Sequence, residues 1–232
     1  MSFLPAYRRV DPARTYYAFH GVWAYLSALT FTLNLVYQIK EVGLSPLQLV
    51  LVGTTMEIAC FLFEIPTGIV ADLCSRRLSV LIGFALIGVS FLLQGFVPAF
   101  FAILAAQVIW GLGYTFTSGA DQAWITDELG EDNVGPIFVR SQQISLGAQI
   151  AGIVSAGAIG LVSLSLPMKV AGTGMILLAL LLFVFMREQN FHPTPAAERD
   201  TFQQMADTFK HGLAVACDCG RIRATSYRPQ KR

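Results

Sequence analysis

With 54% of its 232 residues hydrophobic and only 13% charged, the chain cannot be a water-soluble domain, where about a quarter of residues carry charge. Mean hydropathy is +0.58, which agrees. The net charge of +1 singles out no class of partner, and no nucleic-acid partner is expected. The four cysteines (Cys60, Cys74, Cys217, Cys219) lack zinc-finger spacing and read as free thiols, so neither metal nor cofactor is expected. The first apolar run is too long for a cleavable signal and lacks an Ala-x-Ala exit, so it reads as a retained anchor.

Residues 1–14 are short and basic. The first span is predicted over 15–38, with Tyr16, Tyr17, Phe19, Trp23 and Tyr25 crowding its first half. His20 lies one turn in and reads as a satisfied polar group near the headgroups. Asn34 and Gln38 lie toward the far end, where they line a cavity or cap the helix. Ser45 and Pro46 are placed as N-cap and first residue of a second span over 46–71. A third span, 78–97, carries no charge, and a fourth follows over 99–125. Residues 127–136 are read as an acidic loop broken by Gly130, Gly135 and Pro136. The fifth span, 138–165, sets Ala148, Gly152, Ala156 and Gly160 at four-residue spacing, the mark of a close helix–helix seam. The sixth, 170–186, is bracketed by Lys169 and Arg187.

Six spans with short connections fix an orientation through their charges. Placing both termini in the cytoplasm leaves only Lys40 and Lys169 outside, so 14 of the 16 bases lie on the inner side. The second span also carries Glu57, Glu64, Gly68 and Asp72, spaced by seven, four and four, which places them on one side of a helix. An acid in lipid costs of order 2–4 kcal/mol near the bilayer centre on insertion scales. Such residues therefore face protein or a water-filled path. Glu57, about ten residues into its span, is the first choice for a group that loads and releases a proton, and Glu64 the second.

Gly68-Ile-Val-Ala-Asp72-Leu-Cys-Ser-Arg76-Arg77, between the second and third spans, resembles the loop signature of the major facilitator superfamily of secondary transporters. Leu73 stands where that pattern has a base and Ser75 where it has a glycine. The inner end of the fourth span, Gly119 to Glu128, resembles the same region of bacterial drug-efflux members. The resemblance implies an all-α membrane protein, the N-terminal six-helix half of a permease built from two three-helix repeats. It also implies a cytoplasmic gate at Gly68, Asp72, Arg76 and Arg77, answered by Asp121, Asp127 and Glu128. Asp72 is expected to cap amides at the start of the third span.

Two drug-antiporter signatures are absent. Gln107 stands in place of an arginine on the fourth span and Trp110 in place of a glutamine, and no proline occurs between Pro136 and Pro167. Trp110 is read either as a ligand-facing aromatic or as packing. A membrane enzyme is not expected, since His192 and His211 lie in the tail and no Ser/His dyad can form within the spans.

The expected activity is alternating-access export of small, partly hydrophobic compounds, coupled to protons. Its pathway is expected to use Asn34, Glu57, Glu64, Gln107 and Trp110. The alternative is a non-transporting membrane anchor or subunit. Residues 1–187 are expected to form the bundle and 188–232 a cytoplasmic linker and basic, poorly ordered tail. Phe202, Met205, Phe209 and Leu213 keep helical spacing, and a basic, non-apolar stretch follows from 217. That ending is expected either of a permease truncated by a frame shift near residue 216 or of a genuine basic tail drawn to anionic lipid. Expected partners are membrane lipid, a small-molecule substrate and a second six-helix half or a second copy, in the cell (inner) membrane.

Overall fold

The computed structural model describes residues 11–191, so the amphipathic stretch and basic ending beyond residue 201 lie outside the described residues. Among those described, the helices are α1 (Pro12–Lys40), α2 (Pro46–Leu73), α3 (Arg76–Phe96), α4 (Phe100–Thr117), α5 (Ala120–Leu129), α6 (Glu131–Gly160) and α7 (Leu166–Phe185). Local chemistry starts several of them. Asp11 accepts from the Ala13 amide at 3.0 Å and Pro12 presets the first helical φ. Ser45 and Gln48 form a capping box at α2, each side chain accepting from the other's backbone amide. Ser75 caps α3 by accepting from the Leu78 amide at 3.0 Å.

Among the described residues, six helical stretches are long and apolar enough to cross a membrane, with α4 and α5 together making one of them, Phe100–Leu129. Two details depart from the sequence reading. The fourth span is not continuous over 99–125 but breaks at Gly119, whose φ of +77° only glycine adopts without strain, and it then runs on to Leu129. The acidic loop expected over 127–136 shrinks to Gly130, at φ +82°. Glu131 and Asp132 instead form the first turn of α6, where carboxylates favour the positive end of the helix dipole.

The helices pair in a pattern that repeats. α1 packs against α6 and α7, α4 packs against α2 and α3, and α3 packs against α7. Exchanging spans one, two and three for spans four, five and six returns the same set of contacts, as a pseudo-two-fold relation between two three-helix repeats requires. α2 and α6 flank the bundle, each resting mainly on a single neighbour.

Small residues set the distances between helices. A Cβ on Gly152 would lie 2.5 Å from the Tyr25 carbonyl and 2.9 Å from Ala28 Cβ, so the α6 stripe is the α1 seam. The related α2–α4 seam closes Gly111 onto Ala59, where an added Cβ would lie at 2.8 Å. Gly88 and Gly172 interlock α3 with α7, an added Cβ on either lying within 2.9 Å of the other's carbonyl. Backbone on both sides leaves no flexible group to yield. Gly172→Val should therefore cost about 1–3 kcal/mol, read as a lower midpoint in SDS-titration unfolding. Gly157→Val, where an added Cβ meets nothing within 4 Å, is the matched control expected to unfold with the parent.

Candidate functional site

Antiparallel packing collects the α1 start, the α2–α3 turn, the α5–α6 turn and the α7 end at one end of the bundle, here called the Arg76 end. Arg76 Nε lies 3.1 Å from Asp127 Oδ2, joining α3 to α5. Arg77 donates to the Phe183 carbonyl of α7 and lies over the Phe183 ring, 5.4 Å from its centroid. Glu188 accepts from Ser75 Oγ at 2.5 Å and from the Arg76 and Arg77 amides at 2.8 and 3.1 Å. Glu128 accepts from the Gln189 amide at 2.6 Å, and Trp124 Nε1 donates to the Arg187 carbonyl at 2.7 Å. The segment just past α7 is thus stitched to both α3 and α5.

Several expected partners are rearranged. Asp121 does not answer the arginine pair. It lies six residues before Asp127 on the same helix, about 9 Å deeper along the axis, and pairs instead with His20 Nε2 of α1 at 3.0 Å. Capping of α3 falls to Ser75 and Glu188, while Asp72 remains on an exposed face. Sequence reading passed over Glu188; the available signal was an acid immediately after Arg187, at the polar boundary of the last span.

Glu57, Glu64 and Asp72 are exposed on α2; Glu57 faces away from Ala59 in the buried stripe Val52, Ala59, Thr67 and Ala71, while Glu64 and Asp72 lie closer to the edge of that stripe. Nothing lies within 4 Å of a Cβ built on Gly68. This side of α2 is apolar as well, with Phe61 74% exposed. Bare lipid is a poor neighbour for three carboxylates in line, whereas a protein surface or a wet cleft suits them.

Between α1 and α4 an aromatic ladder stands open. Trp110 stacks on Tyr114 with centroids 5.2 Å apart and planes 7° from parallel, and Phe31 meets Trp110 edge-on at 5.8 Å. Phe31 and Tyr114 are exposed, whereas the Trp110 indole N–H is buried, without a hydrogen-bond partner among the described residues. Gln107 is buried one turn away. One turn past Phe31 on α1, Asn34 is half-buried and accepts from Gln38 Nε2 at 3.2 Å. Trp110 and Gln107 thus sit close together on α4, while Asn34 belongs to a separate polar pair.

Two related three-helix repeats, whose six stretches among the described residues are long and apolar enough to cross a membrane, are the arrangement expected of one half of a helical membrane carrier. Residues 18–220 match the family model described as Major Facilitator Superfamily, and the chain belongs to that family of transporters, which are not enzymes. It is 26% identical over 140 residues to YxaM of Bacillus subtilis (strain 168), described as an uncharacterized MFS-type transporter. That match covers 60% of this chain and 34% of YxaM.

Proposed function

We propose that the chain supplies one half of a permease that exports small, partly hydrophobic compounds by alternating access, driven by protons. The observation that carries this reading is the pairing of the open Phe31–Trp110–Tyr114 ladder with the carboxylates of the uncovered α2 face. An open aromatic wall suits a mostly apolar solute that makes few polar contacts. A carboxylate such as Glu57 changes charge when its surroundings pass from wet to dry, which is the property a proton-coupled carrier uses. Glu64 would serve as a second such group. A second six-helix half, or a second copy, would cover α2 and α6 and complete the cavity.

In this reading both termini are cytoplasmic in the cell membrane, and the Arg76 end with Gly68, Asp72, Arg76 and Arg77 is the inner gate. Cysteines introduced at Lys40 and Lys169 should react with an impermeant maleimide applied to intact cells, whereas one at Glu131 should react only after permeabilisation. Labelling of the Glu131 position from outside would reverse the topology. The transport reading itself is tested with ethidium as the probe. Inverted vesicles containing the protein should accumulate it on imposing an acid-inside pH gradient and release it on adding a protonophore. Accumulation no greater than in empty vesicles would favour the alternative, a membrane subunit without transport.

A further inference from the structure

The proton-coupled reading places its acids on α2, but another pair of titratable side chains is already joined within the bundle. His20 Nε2 on α1 and Asp121 Oδ2 on α5 are 3.0 Å apart, with side chains 20% and 16% exposed. They share a cavity of about 160 Å³ with Phe19, Trp23, Phe84 and Tyr114. A volume of that order holds several waters, and both side chains offer them polar partners. The cavity sits at the Gly119 break, so Asp121 lies in the first turn of a separate short helix. Its Oδ1 accepts from the Gln122 amide at 2.8 Å, which fixes the carboxylate and leaves Oδ2 for the imidazole.

We propose that His20 and Asp121 form a proton-binding site of the transport cycle, lying between α1 and α5 on the cytoplasmic side of Glu57. This rests on the proton-coupled reading and adds a site to it. In the unloaded pair a neutral imidazole lies beside the carboxylate, 3.0 Å away, and the pair carries a net charge of −1. A hydronium ion then gives its proton to the unprotonated ring nitrogen, releasing water and leaving an imidazolium–carboxylate pair of net charge zero. Each form has its own preferred surroundings. The neutral pair tolerates a dry, closed cavity, while the net anion favours a wet, open one. Because α1 and α5 belong to different repeats and α5 is hinged from α4 at Gly119, the proton biases how tightly one repeat holds the other.

The neighbours on every side leave this role to the pair. On α1 the Tyr16 and Phe19 rings lie 4.1 and 4.7 Å from the imidazole, centroid to centroid. α4 contributes Tyr114 and α3 contributes Phe84 to the cavity wall. From α6, Ser145 donates to the His20 carbonyl, and the charged Glu131, Asp132 and Arg140 of that helix are exposed. On α5, Asp127 is engaged with Arg76 and Glu128 with the segment after α7.

Trp23 in the cavity wall offers a readout that needs no transport, since an imidazolium quenches indole fluorescence more than a neutral imidazole does. The full chain in lipid nanodiscs should change its tryptophan emission between pH 5 and pH 9, and His20→Gln and Asp121→Asn should each remove or displace that change while eluting as the parent does. In proteoliposomes, both variants should lose ethidium accumulation driven by a pH gradient about 10-fold or more, yet retain ethidium exchange at equal pH. Gradient-driven accumulation undiminished in both variants, or a fluorescence change the same in all three proteins, would overturn this site while leaving proton coupling intact. Wild-type accumulation indifferent to the gradient would overturn proton coupling and this site together.

Discussion

Glu57→Gln is expected to abolish pH-driven movement of substrate in the assembled permease while leaving membrane insertion and ligand binding intact. The amide keeps the shape and one hydrogen-bonding oxygen of the carboxyl group but carries no titratable proton. Glu57 is exposed on α2, facing away from the Ala59 stripe that packs on α4. Nothing in the six-helix unit needs the carboxylate for packing, so the substitution should leave the melting midpoint unchanged. The expected loss is therefore functional: no accumulation on a pH gradient, with ethidium exchange at equal pH retained. Asp72→Asn, two turns beyond Glu64 toward the Arg76 end, should instead slow opening and closing without removing proton dependence. An unaltered pH profile in Glu57→Gln would exclude it as a coupling group.

This expectation and the one for His20 and Asp121 concern different surfaces. In the proposed permease Glu57 belongs to a face that a second half would cover, so its environment would alternate as the halves rock. His20 and Asp121 lie within one half, and what alternates there is the fit of α5 on α1. Loss of gradient-driven transport at one site with retention at the other would say which interface the proton works on.

The spans and their seams were readable because they depend on local patterns. Long apolar stretches identify helices that cross lipid, and the Ala148–Gly160 stripe marked the face where α6 meets α1. Gly119 was harder to interpret. A glycine after Thr117-Ser118 inside an apolar run is compatible with an unbroken helix, and only the positive φ makes it a hinge. The acidic stretch after Asp127 looked like a loop by composition, yet a single glycine suffices to turn the chain, and the acids then favour a helix start. Pairings between distant residues were the least legible. His20 and Asp121 are 101 positions apart, and neither carries a local sign that α1 and α5 bring them together. Arg76 with Asp127 was one of several pairings a basic turn and an acidic turn allow, and the helix register selects it.

Glu188 should prove to be a strong stability determinant at the Arg76 end. Its carboxylate accepts three hydrogen bonds, from Ser75 Oγ and from the Arg76 and Arg77 amides. Two of these donors are first-turn amides that have no partner within α3, and the site is only partly open to water. A carboxylate there also meets the positive end of the α3 dipole. Charge-assisted bonds of this kind are worth about 1.5–3 kcal/mol each at most, and water recovers part of that when the acceptor is removed. Glu188→Ala should therefore cost about 2–4 kcal/mol, with the Trp124–Arg187 and Glu128–Gln189 bonds loosening as the segment after α7 detaches. Glu188→Gln keeps an acceptor oxygen but not the charge, so it should fall between the two. The order wild type, Gln, Ala in SDS-titration midpoints is the expected result, accompanied by faster proteolysis near residue 187. An Ala variant as stable as the parent would show that Ser75 alone caps α3 and that the segment after α7 is held by Trp124 and Glu128.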